Sequence, residues 1–178
     1  MRNNLWKYYK DYIRRNLITR FNIIELNYVA KIEYVMVKIK LSEVASLEDI
    51  SILEMVECIE KLTGQKCMVK DLGSIKGKRG YSKGKNVECF VTLRKKRMYN
   101  FIKYLIMIMM PLNIKRYGLL KLNEVGKGVY MLRMVDINSF YKLKLNNYNN
   151  EAIDIYFKLT GHNKQHKILL KSLGLKFN

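Results

Sequence analysis

The chain has 178 residues, with 34 Lys and Arg against 15 Asp and Glu and a formal net charge of +19. At that length one domain with a single sizeable core is expected over 1–178, and the charge requires an acidic partner, nucleic acid ahead of an anionic membrane surface. No membrane insertion is expected: the most apolar run, 104–110, lies between Lys103 and Pro111, far short of the roughly 20 residues of a spanning helix, and Trp6-Lys7-Tyr8-Tyr9-Lys10-Asp11 lacks the apolar region of a signal peptide.

Residues 5 to about 21 have helical periodicity, with Leu5, Tyr9, Ile13 and Leu17 on an apolar stripe and Lys7, Lys10, Arg14 and Arg15 largely off it. Residues 35–41 alternate as a strand, with Val35, Val37, Ile39 and Leu41 on one face and Met36, Lys38 and Lys40 on the other. Ser46 and Asp49 form a capping pair for a helix carrying Ile52, Leu53, Val56, Ile59 and Leu62, which Gly64 stops. Much of the chain's acid (Glu48, Asp49, Glu54, Glu57, Glu60) lies on this helix, so it is expected to face away from RNA. A short strand at 67–70 leads into residues 73–85, GSIKGKRGYSKGK, expected as a flexible basic loop too polar to bury.

Next, Val87, Cys89, Val91 and Leu93 alternate with Glu88, Phe90, Thr92 and Arg94, the period of a half-buried strand. Four cations, Arg94, Lys95, Lys96 and Arg97, turn the corner into a helix marked by Met98, Phe101, Ile102, Leu105, Ile106 and Met109. That helix is apolar nearly all round and is expected to be the most buried element. Strands at 129–135 and 153–159, a loop or insertion at 143–150 and a last helix at 164–173 followed by Gly174 complete the pattern. The expected fold is α+β: a mostly antiparallel sheet with helices packed on one face, a sandwich.

No catalytic, cofactor or metal site emerges. Gly73 to Gly77-Lys78 and Gly80 to Gly84-Lys85 each have three residues between the glycines, where a P-loop has four, and no Ser or Thr follows the lysine. Gly126-Lys127-Gly128 lacks the third glycine of a dinucleotide fingerprint. Gly77-Lys78-Arg79-Gly80 fits the GxxG clamp of KH domains, but a KH loop joins two helices. His162 and His166 share HExxH spacing with Asn163 in place of the general base, so a surface pair or RNA contact is expected. Cys58, Cys67 and Cys89 lack CxxC spacing and are expected as small reduced residues, buried or half-buried. Tyr8, Tyr9 and Tyr12 are stacking candidates, Tyr9 better placed in the core. Within 73–85, Gly73, Gly77 and Gly80 permit close backbone approach, while Lys76, Lys78, Arg79, Lys83 and Lys85 neutralise phosphates.

The order of basic loop, strand, basic corner and helix resembles the large-subunit ribosomal protein L-five family, the universal uL5 type. The VTLR-like turn is Val91-Thr92-Leu93-Arg94 and the RM-aromatic step is Arg97-Met98-Tyr99. Tyr8-Tyr9-Lys10-Asp11, Lys31-Ile32-Glu33, Thr63-Gly64-Gln65-Lys66, the helix-ending Pro111 and Leu173-Gly174-Leu175-Lys176-Phe177 extend it along nearly the whole chain. The chain departs from the family at Lys40-Leu41-Ser42-Glu43, at Gly126-Lys127-Gly128 and most of all over 136–150.

The resemblance implies a non-enzymatic protein on large-subunit rRNA, 5S rRNA or its equivalent, in the central protuberance. It implies further contacts with P-site tRNA through 73–85 and with a protein of the small-subunit head. It places rRNA contacts on the first helix and the sheet, for which Lys7, Lys10, Arg14, Arg15, Lys38, Lys40, Arg94, Lys95 and Lys96 are the candidates. The competing classes are an RNA-processing enzyme and a free-standing RNA chaperone. Alanine occurs only at Ala30, Ala45 and Ala152, and Pro111 is the sole proline, a bias that points to an AT-rich genome. The expected location is the mitochondrial matrix, with a plastid or the cytoplasm of an AT-rich bacterium as alternatives.

Overall fold

The computed structural model describes residues 4–40, 49–76, 82–134 and 152–178. Among these, six strands form one sheet: β1 Lys31–Lys40, β2 Met68–Lys76, β3 Ser82–Leu93, β4 Leu122–Gly126, β5 Val129–Met134 and β6 Ile153–Thr160. Their order is β2-β3-β1-β6-β5-β4, and every pairing is antiparallel. The expected alternation sets which side faces inward. Val35, Val37 and Ile39 lie opposite Leu93, Val91 and Cys89 on one side and Phe157, Ile155 and Ile153 on the other, and all are buried. Each such aliphatic or aromatic side chain stabilises the fold by about 1.5–3 kcal/mol.

Four helices among the described residues complete the core. The first, α1, runs through Leu5–Tyr8, a wider π-type turn at Tyr9–Ile13, and Arg14–Phe21. The Asn4 side chain accepts from the Lys7 N–H at 3.3 Å to start it, and Asn22 ends it in the left-handed region, φ 48°. Leu5, Ile13 and Leu17 are buried as the stripe required, and the Tyr9 hydroxyl donates to the Ala30 carbonyl at 2.9 Å. Helix α2, Asp49–Thr63, packs on β3 through Met55, Cys58 and Ile59 and stops at Gly64, φ 65°. Leu53, expected on its apolar stripe, is exposed instead. Ser46 and Glu48 lie outside the described residues, as do Leu41 and the 143–150 segment.

Helix α3 departs from expectation twice. It passes through Lys95–Tyr104, a π-type stretch at Leu105–Met109 and Met110–Tyr117, so Pro111 does not end it. Proline clashes with a regular preceding turn and has no N–H to donate; the π-type stretch immediately before Pro111 breaks that regular turn, with the Met110 N–H reaching back to the Leu105 carbonyl. Gly118 closes the helix instead, φ 81°. Nor is α3 buried all round: Met98, Phe101, Ile102, Leu105 and Met109 face the core, while Met107 is 49% exposed and Ile108 39%. Helix α4, Asn163–Leu173, buries Leu169, Leu170 and Leu173 and ends at Gly174, φ 110°.

The 73–85 segment is not a loop throughout. Strands β2 and β3 run into it from both sides, pairing Ser74 with Lys85, Ile75 with Lys83 and Lys76 with Ser82, with register shifts between Asp71 and Ile75. A ladder needs only backbone N–H and C=O groups, so polarity that forbids side-chain burial does not forbid pairing. Gly73, Lys76, Lys83 and Lys85 therefore lie on strands, and Gly77, Lys78, Arg79 and Gly80 fall outside the described residues. Strand β4 has no counterpart in the sequence reading. It is a short edge strand with little burial, so its residues carry no alternation to detect.

Candidate nucleic-acid interface

The strand faces opposite the core carry a mixed basic and aromatic surface. Lys38 lies at its centre on β1, with Phe90 of β3 opposite it on one side and Asp154 of β6 on the other. Its ammonium is 5.5 Å from the Tyr156 ring centre and 6.0 Å from that of Phe90, and it donates to Glu88 Oε1 at 3.1 Å. On β5, Arg133 grips Asp154 with two parallel bonds, Nε to Oδ1 at 2.9 Å and Nη2 to Oδ2 at 3.3 Å. This bidentate pair holds the guanidinium even more firmly protonated than usual. Burial, followed by the nearby Asp154 and Glu88 carboxylates, pushes the Tyr156 hydroxyl above its ordinary range. At the end of β3 the Arg94 guanidinium stacks 4.8 Å above Tyr34 and lies 3.7 Å from Glu33.

The expected cations thus divide by their existing partners. Lys7, Lys10 and Arg15 are exposed on α1, with Arg14 half-buried; Lys40, Lys95 and Lys96 are exposed at the end of β1 and the start of α3. Lys38 and Arg94 are held in ion pairs. The Thr63-Gly64-Gln65-Lys66 turn closes on the basic corner: Gln65 Nε2 donates to the Thr92 carbonyl at 3.2 Å, and Arg97 Nη1 donates to Gln65 Oε1 at 3.4 Å. The sequence did not single out Tyr34, Arg133 and Tyr156, nor the contacts of Gln65. Except for Gln65, alternation along β1, β5 and β6 was the available signal, since it puts them on the face carrying Lys38.

The remaining candidates separate. Tyr8 and Tyr12 stack on each other, with ring centres 5.4 Å apart. His162 and His166 are not a surface pair. His162 caps α4 by accepting from the Lys164 N–H at 3.4 Å, whereas His166 is buried edge-on to Tyr130 at 5.7 Å. One turn along a helix separates a capping position from an inward one, and spacing alone did not show which way α4 faces. Cys58 and Cys89 are buried and Cys67 half-buried, all as free thiols. A hydrogen bond with Cys89 is the largest influence on the Cys67 thiol and draws its pKa down. Among the described residues no three His, Cys, Asp or Glu side chains converge as a metal site would require, and no helix is long and apolar enough to cross a membrane.

Residues 86–177 match the ribosomal L5P family C-terminus. The chain is 34% identical to the large ribosomal subunit protein uL5m of Reclinomonas americana over 113 residues, 61% of this chain and 59% of that protein. It is 30% identical to uL5 of Buchnera aphidicola subsp. Baizongia pistaciae over 132 residues, covering 72% of this chain and 71% of that one. With uL5 of Prochlorococcus marinus it shares 30% identity over 179 residues, 96% of each chain. The matched stretch holds most of β3, all of α3, β4, β5, β6 and α4, and with them most of the surface around Lys38. The chain belongs to the uL5 family of large ribosomal subunit proteins, which are structural parts of the ribosome and not enzymes.

Proposed function

We propose that this protein docks on the rRNA of the central protuberance, 5S rRNA or its equivalent, in a mitochondrial large subunit, and that it contacts P-site tRNA and a small-subunit head protein. The observation that carries the docking is the sheet face around Lys38, where cations alternate with Phe90, Tyr156 and Tyr34 on a rigid support. The exposed Lys7, Lys10, Arg15, Lys40, Lys95 and Lys96 supply the phosphate contacts, and the aromatic rings the surfaces for bases. Lys7, Lys10, Arg14 and Arg15 add a second basic surface on α1, on the helical side of the sheet. The β2–β3 hairpin, with Lys76, Lys83 and Lys85 on its strands and Lys78 and Arg79 between them, is the arm offered to tRNA. The mitochondrial assignment is supported by the residue bias and by the likeness to uL5m.

Two variants in purified subunits test this division. Neutralising Lys7, Lys10, Arg14 and Arg15 reduces incorporation into the large subunit after a high-salt wash. Neutralising Lys76, Lys78, Arg79, Lys83 and Lys85 leaves incorporation intact and weakens retention of P-site tRNA. If the hairpin variant fails to assemble while the helix variant assembles normally, the roles are reversed and the hairpin is the rRNA anchor.

A further inference from the structure

The first turns of α1 and α3 meet at a cleft of about 490 Å³ lined by Asn4, Trp6, Lys95, Lys96, Tyr99 and Asn100. That volume lies within the roughly 300–1,000 Å³ typical of small-molecule sites. Among the described residues the lining contains two lysines and no carboxylate, and neither first turn carries an acid. Trp6 is 48% exposed, although indoles are highly buried on average. The Lys10 ammonium sits 5.4 Å from the indole centre, over one face of the ring. Tyr99 is buried and forms the inner wall, and Asn100 is exposed. Lys95 holds the left-handed conformation, φ 50°, at the cleft's edge. Such a conformation is unfavourable for a residue with a β-carbon, and outliers of this kind cluster at ligand clamps.

We propose that this cleft receives one unstacked nucleotide of the bound RNA, with the base against the Trp6 indole and its flanking phosphates on Lys95 and Lys96. A flat aromatic wall beside acid-free cations suits a base joined to phosphate. The Asn100 amide supplies both a donor and an acceptor for the base edge. This rests on the reading of the protein as an rRNA-docking protein and adds to it a base-binding subsite on the helical side, apart from the sheet face.

Trp6 is the only tryptophan of the chain, so emission excited at the red edge of the indole band, where the 13 tyrosines do not absorb, reports on this cleft alone. The full-length protein is titrated at low salt with two end-labelled probes, single-stranded hexa-adenylate and an abasic oligomer of equal phosphate number, following label anisotropy and Trp6 emission together. Hexa-adenylate is expected to quench Trp6 with the same midpoint as its anisotropy change, while the abasic oligomer binds without quenching. Trp6→Ala should weaken hexa-adenylate binding about 5- to 150-fold and leave the abasic oligomer unaffected, and Trp6→Phe should retain most of the affinity. Lys95→Gly, which suits the left-handed backbone and so folds, should weaken both probes. Binding without quenching, or a Trp6→Ala variant of undiminished affinity for hexa-adenylate, overturns the cleft while leaving RNA docking intact. Failure of both probes to bind overturns the cleft and the docking together.

Discussion

Replacing Lys38 by Met tests whether the centre of the sheet face is held by charge or by packing. The side chain of Glu88 is 8% exposed and that of Lys38 22%, with 3.1 Å between ammonium and carboxylate. Removing one partner of a fully buried pair costs about 3–5 kcal/mol, because the other charge is left without compensation. The partial exposure of Lys38, and the exposed Lys40 opposite Glu88 in the ladder, reduce the expected loss for Lys38→Met to about 2 kcal/mol. For a chain of this size that lowers Tm by roughly 4–8 °C. Met preserves the apolar stem between Phe90 and Tyr156, so the lost charge dominates the change. The double variant Lys38→Met with Glu88→Gln removes the orphaned carboxylate and should return to within about 1 kcal/mol of the parent. Guanidinium chloride unfolding of the four proteins of the cycle measures this. If the double variant is as unstable as Lys38→Met alone, the ammonium acts through the two rings and the ion-pair argument is wrong.

Three further outcomes are expected. Lys95→Gly relieves a left-handed backbone and should stabilise the free protein by about 1 kcal/mol, read as a rise in Tm of roughly 2–4 °C; a fall would show that Lys95 makes a compensating contact. Gly161 adopts φ 98°, and a β-carbon there would lie 2.8 Å from Ala30 Cα and N, so Gly161→Ala should cost about 2–3 kcal/mol in a denaturant titration. Burial, with His162 adding slightly, holds the His166 pKa below its ordinary 6.5 despite the opposing pull of the Gly161 and Thr160 backbone and, less, of Glu124; the native state then binds fewer protons than the unfolded one, so this contribution to stability is complete above about pH 6.5 and is lost as pH falls toward the native pKa. His166→Phe should flatten that part of the stability profile, and an unchanged slope would refute the assignment.

The exposed apolar residues of α3 and the occupied cations of the sheet have one origin. Helical and strand periods report which residues share a face, and they do so locally. From them the inward faces of β1, β3, β5 and β6, the stripe of α1 and the glycines that stop α2 and α4 were legible. The acid-poor, lysine-rich composition indicated an anionic partner, and the Val91-Thr92-Leu93-Arg94 and Arg97-Met98-Tyr99 steps indicated the family, because both survive in the linear order of residues.

Tertiary structure decided what each polar residue meets. Lys38 and Glu88 are 50 positions apart in the chain and Arg133 and Asp154 are 21 apart; only the antiparallel registers make them partners, so no local pattern separates an occupied cation from an available one. The same holds for Pro111, whose tolerance depends on a π-type stretch set by the packing of α3, and for His166, whose inward direction follows from the seating of α4 against Tyr130. The cleft beside Trp6 is the strongest case. Its walls come from helices whose first turns are about 90 residues apart, and only their packing against a common core brings an indole and two lysines to one opening.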